Sequence, residues 1–334
     1  MPAPALIVFD MDGVIIDVSG SYRETVRQTA RLFFKNARCW EDLPDPLFPL
    51  SDLAMVKQSG GLNNDWDLTC VVIGLLFKLV NTPTEIDDSD PWARHTKMVA
   101  QCDVAELSRY LESIQNPLTA LLNKNDNLKK EIVASFYVGD VGSGNIIKQI
   151  FQEIYLGKKI FERTYCIPTK AYHSAGYINK EKLIIDHSIL KRLKKNNILA
   201  IATGRPRAEA DYPLNYFKLE RFFTTVYSLD DCLREEQRIR DKKGKKVSLS
   251  KPHPFMLDAI AEATGGGVDG YYYLGDMPDD MLAAKRSRTR FKAIGILMSS
   301  PDKENLKKNL VQAGADYIID DFAELIHLVE TGKR

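Results

Sequence analysis

Two hydrophobic patterns divide the chain. From residue 197 onward, short continuous apolar runs alternate with amphipathic stretches of a few turns. Asn197–Ala202, Phe222–Ser228, Tyr271–Leu274, Phe291–Leu297 and Ala315–Ile319 read as strands. Arg207–Phe217, Pro252–Thr264, Asp279–Arg288, Asp302–Ala313 and Phe322–Glu330 read as helices, with Pro252 suited to a helix start. Strands that are apolar throughout, rather than at every second position, are those buried on both faces. Their alternation with helices predicts a parallel sheet covered on both sides. Ala5–Phe9 has the same character, so the first strand is expected in the same sheet.

After Ala5–Phe9, no further strand of this kind arrives until about residue 197. The intervening periodicity is mostly helical, over Tyr22–Asn36, Trp66–Val80, Asp103–Ser113, Pro117–Tyr137 and Asn145–Tyr155, with Asn64-Asp65 placed to cap the second of these. Tyr177–Ile178 and the charged pair Lys180-Glu181 mark the return. The expected architecture is therefore α/β: a doubly wound, Rossmann-like parallel sheet core made of residues 1–16 and 185–334, with a mainly α-helical domain, residues 17–184, inserted after the first strand. The Arg234–Lys246 segment, dense in Lys and Arg and containing Gly244, reads as an exposed, solvated loop.

Composition narrows the class without naming a chemistry. The 334 residues suffice for two domains. Hydrophobic residues at 44%, charged residues at 27% and a net charge of +1 are ordinary for a globular protein and argue for neither a nucleic-acid nor a membrane-surface partner. The five cysteines, at 39, 70, 102, 166 and 232, form no CxxC pair, which speaks against a disulfide framework or a structural zinc site. With no basic-then-apolar leader ahead of the first strand, a cytoplasmic location is expected. The most apolar internal stretch, Cys70–Val80, is too short to span a bilayer and carries Lys78.

The chemistry is concentrated where the apolar runs stop. Ala5–Phe9 ends in Asp10-Met11-Asp12-Gly13. Ligands of open α/β sheets bind just outside the carboxyl ends of the strands. Two acids so close repel each other unless a cation joins them, which points to a hard divalent metal, Mg²⁺, beside a carboxylate nucleophile. A strand followed by an ordinary Asp-Gly turn would look the same on these residues alone. Three further segments fall at corresponding places. Thr203-Gly204-Arg205-Pro206 offers a hydroxyl and backbone N–H groups at a helix start, a seat for phosphate. Lys251, just before a helix, could neutralise phosphate and nucleophile together. Gly275-Asp276-Met277-Pro278-Asp279-Asp280 is an acidic strand-to-helix turn suited to oxygen ligation of Mg²⁺. Each has an everyday reading alone; their shared position, in this order, favours one site.

Together these four elements resemble the motifs of the haloacid dehalogenase (HAD) superfamily, over residues 1–16 and about 185–330. The insertion resembles an enlarged helical C1-type cap of subfamily IA. The resemblance implies a phosphatase in which Asp10 becomes an aspartyl phosphate and Asp12 protonates the leaving oxygen and then activates water. Thr203 would bind the transferring phosphoryl group, with Gly204 and Arg205 beside it on the substrate, and Lys251 would hold Asp10 and the phosphate. Mg²⁺ would be ligated by Asp10, the Asp12 carbonyl and Asp276. Asp279 or Asp280 would support it, spacing by analogy favouring Asp280. The second acid separates this chain from the dehalogenases, and the Lys-Thr-Gly-Thr run of the transport ATPases is absent. A sugar phosphomutase or phosphotransferase using the same aspartyl phosphate is the alternative, and a non-catalytic binding protein a second one.

Substrate choice is expected from the insertion, closing over the core. Arg23, in Asp17-Val18-Ser19-Gly20-Ser21-Tyr22-Arg23, could meet a carboxylate or second phosphate. Gly60-Gly61-Leu62-Asn63-Asn64-Asp65-Trp66 offers close backbone approach and polar groups, Asn64 foremost, at a helix start. Phe151–Gly157, with Gln152 and Glu153 inside an apolar helix, is a third candidate. The combination resembles a branch with names linked to histidine biosynthesis, which adds histidinol phosphate to the candidates. The expected partner is a small hydrophilic phosphate ester, a sugar phosphate or phospho-acid.

Overall fold

The Ala5–Phe9 strand (β1) is buried along its whole length because strands pair with both of its edges. In the computed structural model, residues 3–59, 64–82, 86–123, 130–300 and 302–331 are described. The further strands are β2 (Ile16–Asp17), β3 (Lys182–Leu183), β4 (Asn197–Ala202), β5 (Thr225–Tyr227), β6 (Gly270–Gly275), β7 (Lys292–Ile296) and β8 (Tyr317–Ile319). Six of them form one parallel sheet in the order β5-β4-β1-β6-β7-β8. The expected α/β, Rossmann-like fold is borne out.

Alternate residues of β1 face opposite sides of the sheet, as strand geometry requires. Ala5, Ile7 and Phe9 join an apolar cluster with Leu190, Leu214 and Leu325, from the helices His187–Lys194, Arg207–Tyr216 and Phe322–Thr331. Leu6 and Val8 join another with Ile260, Met281 and Leu310, from Phe255–Thr264, Pro278–Arg286 and Lys303–Gln312. Each such side chain contributes roughly 1.5–3 kcal/mol on burial, which explains why no position in β1 can be polar. Register then sets the site: Phe9 lies opposite Ile201 on one edge and Leu274 on the other. The residues that follow on β1, β4 and β6 therefore emerge side by side.

The chain divides into two compact units, Met1–Val18 with Lys182–Arg334, and Ser19–Glu181. Within the sheet unit, β2 and β3 form an antiparallel two-stranded ribbon, Ile16 opposite Leu183. The second unit is helical: Tyr22–Phe33, Leu50–Ser59, Asp65–Phe77, Pro91–Ala100, Ala105–Ser113, Pro117–Leu122, Lys130–Ser135 and Ile146–Tyr165. Its centre is aromatic. Phe33 packs against Phe34, Phe77, His95 and Phe136, and Tyr22 stacks on Tyr155 at 4.2 Å between ring centroids. Among the described residues, no helix is long and apolar enough to cross a membrane.

Several elements differ from the pattern-based expectation. Arg234–Lys246 is not a loop: Leu229–Lys243 is a helix that ends at Gly244 in the left-handed conformation. The basic residues alternate with acids and pair along the helix, as in Arg234 with Asp231 and Arg238 with Glu235, and Ser228 with Asp231 closes the first turn. Within the helix expected over Pro117–Tyr137, Pro117–Leu122 and Lys130–Ser135 are helical, and residues 124–129 lie outside the described residues. The helix expected to stop at Tyr155 runs on to Tyr165 through a kink at Gly157. There the backbone passes so close to Gly176 that a Cβ on Gly157 would lie 2.1 Å from its nitrogen, and φ is +71°. Leu50–Ser59, Pro91–Ala100 and His187–Lys194 were not anticipated; Asp90 and Asp186 cap the last two by accepting from Ala93 and Ser188 backbone N–H groups.

Candidate active site

The first strand ends because the backbone turns back on itself. Asp10 N–H still bonds the Leu274 carbonyl at 2.8 Å, continuing the ladder, and Ile15 and Ile16 N–H groups then both donate to the Met11 carbonyl. Gly13 takes φ +75°, and a Cβ there would sit 2.0 Å from Asp276 Oδ2. A glycine is needed for the Asp12 loop and the β6 loop to come this close.

At this sheet end the acids converge. Asp10, Asp276 and Asp280 each offer a carboxylate oxygen, and these lie within 4.8 Å of one another. The Lys251 Nζ sits between two of them, 2.6 Å from Asp10 Oδ1 and 2.8 Å from Asp280 Oδ1. Asp280 is the best anchored. Its Oδ1 also accepts from the Tyr273 hydroxyl at 2.7 Å, and its Oδ2 from Met277 N–H at 3.1 Å. It is Asp280, not its half-buried neighbour Asp279, that meets Lys251. Ser299 Oγ lies 3.5 Å from Asp276 Oδ2.

Electrostatics follow from this crowding. Burial pushes the Asp10 carboxyl well above the usual carboxylate range; Lys251 opposes the shift, and Asp280, Asp12 and Asp276 add to it. Burial pulls Lys251 down, but the carboxylates of Asp10 and Asp280 outweigh it and hold the ammonium well above its ordinary value. Burial, with Asp280, likewise keeps the Tyr273 hydroxyl protonated. Three carboxylates around one ammonium leave negative charge uncompensated at close range. An all-oxygen donor set with that excess fits a hard divalent cation.

The other expected site residues are placed as follows. Thr203 is buried directly after β4; its N–H donates to the Tyr227 carbonyl at 3.0 Å and its hydroxyl oxygen accepts from Arg205 N–H at 3.2 Å. Gly204 is exposed, with nothing within 4 Å of where a Cβ would be. Arg205 is a fully buried side chain whose guanidinium bonds Asp12 and donates to the Glu209 carbonyl. The strand end is wrapped by its own loops, and the long side chain turns inward.

The candidates in the helical unit belong to a separate compact body. Arg23 is half-buried in the first turn of Tyr22–Phe33. Asn64 caps its helix, its Oδ1 accepting from Trp66 and Asp67 N–H groups at 2.8 and 3.2 Å. Gly60-Gly61-Leu62-Asn63 lie outside the described residues. Ser21 donates to Glu181 at 3.1 Å. Glu153 accepts from three consecutive backbone N–H groups and so serves as a buried brace. Sequence reasoning did not single out Tyr273, which nothing distinguishes from Tyr271 and Tyr272 until the strand's facing is known. Nor did it foresee the pairing of Arg205 with Asp12.

The family model for haloacid dehalogenase-like hydrolases matches residues 4–288. An imidazoleglycerol-phosphate dehydratase of Phytophthora nicotianae is 22% identical over 339 aligned positions, 98% of this chain and 53% of that protein. The pyrophosphatase PpaX of Halalkalibacterium halodurans is 25% identical over 136 positions, 41% of this chain and 54% of that protein. The chain thus matches about half the length of these curated relatives. In fold it is similar to a Northeast Structural Genomics Consortium target, with TM-score 0.64, 19% identity and 99% of both chains covered. It is also similar to a phosphatase from Thermococcus thioreducens, with TM-score 0.52, 20% identity, and 92% of this chain and 99% of that one covered. With a family match that takes in most of its length and an acid-lined sheet end, the chain belongs to the haloacid dehalogenase-like hydrolases.

Proposed function

We propose that this hydrolase is a Mg²⁺-dependent phosphatase of small hydrophilic phosphate monoesters, working through an aspartyl phosphate on Asp10. The observation that carries the reading is the Lys251 ammonium held between Asp10 and Asp280 in a cluster of acids, with Asp12 two residues beyond Asp10. Asp10, Asp276 and the backbone carbonyl of Asp12 would ligate Mg²⁺, with Asp280 in support. When bound, the metal would offset negative charge on the phosphoryl oxygens.

The protein's own groups account for the rest. Lys251 orients the Asp10 carboxylate and would balance the charge of an incoming phosphate. A carboxylate oxygen of Asp10 attacks phosphorus, the ester P–O bond breaks, and Asp12 gives its proton to the leaving oxygen. In the second half Asp12 takes a proton from water, the water oxygen attacks phosphorus, and the acyl phosphate bond breaks to release inorganic phosphate and free Asp10. Splitting the displacement in two is what a covalent nucleophile contributes. Thr203, at the end of β4, would donate its hydroxyl proton to a phosphoryl oxygen. The helical unit, residues 17–184 in its broadest bounds, is assigned the choice of ester. Similarity to a protein named for imidazoleglycerol phosphate puts that ester and histidinol phosphate first in a panel, followed by sugar phosphates and phospho-acids.

The test is inorganic phosphate release from that panel with Mg²⁺. Asp10→Asn should lower turnover by at least about 10³-fold, as removal of a nucleophile does, while the fold persists. A fully active Asp10→Asn variant refutes the covalent mechanism. Isomerised sugar phosphate without free phosphate would identify a phosphomutase instead.

A further inference from the structure

Among the described residues, Arg205 is the bulkiest of the fully buried side chains, and it lies in the sheet unit. Ionised groups are excluded from interiors unless a partner and hydrogen bonds compensate for several kcal/mol of lost hydration. Here the partner is Asp12. Nε and Nη2 of the guanidinium lie 2.7 and 2.6 Å from the same atom, Asp12 Oδ1, and Nη1 donates to the Glu209 carbonyl at 3.2 Å. The Arg205 side chain is 1% exposed and that of Asp12 is 33% exposed. The backbone of Arg205 is tied down too, its N–H donating to Thr203 Oγ1 and its carbonyl accepting from Leu229 N–H at 2.9 Å.

We infer that Arg205 is a positioning residue for Asp12, one that decides which carboxyl oxygen handles the proton. The inference rests on the phosphatase reading above. Both guanidinium N–H groups converge on Oδ1 from one side, so the charge of the buried cation is concentrated on that oxygen. A proton on Oδ1 would face that buried cation, so in this scheme the oxygen that exchanges the proton is Oδ2. During ester cleavage the Oδ2–H bond breaks as the leaving oxygen takes its proton, and Asp12 becomes a carboxylate paired with Arg205. Water returns a proton to the same Oδ2 when the acyl phosphate is hydrolysed. Because Arg205 also bonds Thr203 through its backbone, one residue sets both the phosphoryl contact and the direction from which the proton arrives. Arg205 touches neither phosphorus nor the leaving group in this scheme and acts only through Asp12.

The leaving group gives the discriminating experiment. Proton donation matters for an alkoxide leaving group and hardly at all for dinitrophenolate or acetate. General acid–base assistance is worth about 10²–10⁴-fold. Wild type, Asp12→Asn, Arg205→Gln, Arg205→Lys and Arg205→Ala are compared on an alkyl phosphate, 2,4-dinitrophenyl phosphate and acetyl phosphate. Arg205→Gln is expected to lose about 10²-fold in kcat on the alkyl ester, to fall by only a few-fold on the two activated esters, and to keep its KM. Its profile should parallel that of Asp12→Asn. Arg205→Lys, which keeps the buried charge but cannot place two rigid donors on one oxygen, should show the same trend and carries the test if the Gln variant does not fold. Added guanidinium should restore alkyl-ester turnover to Arg205→Ala more than activated-ester turnover. Equal losses on all three esters, or a raised KM at unchanged kcat, would overturn the inference while leaving the phosphatase reading intact. If Asp12→Asn itself shows no leaving-group dependence, the role of Asp12 fails and the inference with it.

Discussion

Glu153 in the helical unit and Asp10 in the sheet unit are both buried carboxylates, 0% and 7% exposed. Glu153 is saturated by neutral donors: backbone N–H groups of Lys170, Ala171 and Tyr172 at 2.6–3.0 Å, and Gln149 Nε2 at 2.9 Å. Asp52 in the same unit is treated alike, accepting from Leu118 and Thr119 N–H groups and the Thr119 hydroxyl. Asp10 has instead one ammonium, shared with Asp280, and two further carboxylates close by. A carboxylate surrounded by N–H groups fastens chain segments together and asks for nothing more. Carboxylates gathered around too little positive charge favour a proton, a cation or a positively charged partner. The difference separates a carboxylate buried as a brace from one proposed to take part in chemistry more sharply than exposure does.

The largest test of that comparison is to swap amides for acids. Glu153→Ala would strand several buried donors, each costing about 1–3 kcal/mol, so the helical unit should lose on the order of 3–5 kcal/mol in denaturant unfolding. Asp10→Asn should be neutral or stabilise the metal-free protein by about 1 kcal/mol, since it removes one of several like charges. The reverse ranking would erase the distinction.

His95 extends the comparison to a base. It is buried in the helical unit with Nε2 3.0 Å from the Phe33 carbonyl, and burial pulls it from an ordinary 6.5 down to about 4, against the raising effect of that hydrogen bond. Below pH 6.5 the unfolded chain accepts a proton that the folded chain refuses. Stability contributed by the neutral ring should therefore be intact above 6.5 and fall between about 6.5 and 4, by up to about 3 kcal/mol. His95→Phe should flatten the unfolding free energy across that window; an unchanged slope would contradict neutral burial.

A third test concerns the cation. At a hundredfold excess over its dissociation constant, Mg²⁺ should stabilise the sheet unit by about 2.7 kcal/mol, read as a rise in Tm that chelation reverses. Asp276→Asn should blunt that rise, and Glu153→Gln should leave it in place. Equal stabilisation of wild type and Asp276→Asn would place the cation elsewhere.

The two regions were also unequally legible in the sequence. The sheet core could be read because β-strands buried on both faces must be uninterrupted apolar runs, and the catalytic candidates stand where those runs end. Asn197–Ala202 is a strand with those very limits. The helical unit was harder: amphipathic periodicity found Tyr22–Phe33 but not Leu50–Ser59. Charge density misled at Leu229–Lys243, where alternating signs make a paired helical surface rather than a loop.

Local pattern determined the order of strands and helices, the long helical interruption, and the residue types at Asp10, Asp12, Thr203, Lys251 and Asp276, because each depends on near neighbours in the chain. Which side chains meet depended on register and facing, set only when distant strands pair. The tertiary structure selected Asp280 over Asp279, brought Tyr273 beneath it, and turned Arg205 inward onto Asp12. A side chain of that length can face solvent or its own core with equal ease, and only the loops packed around it decide.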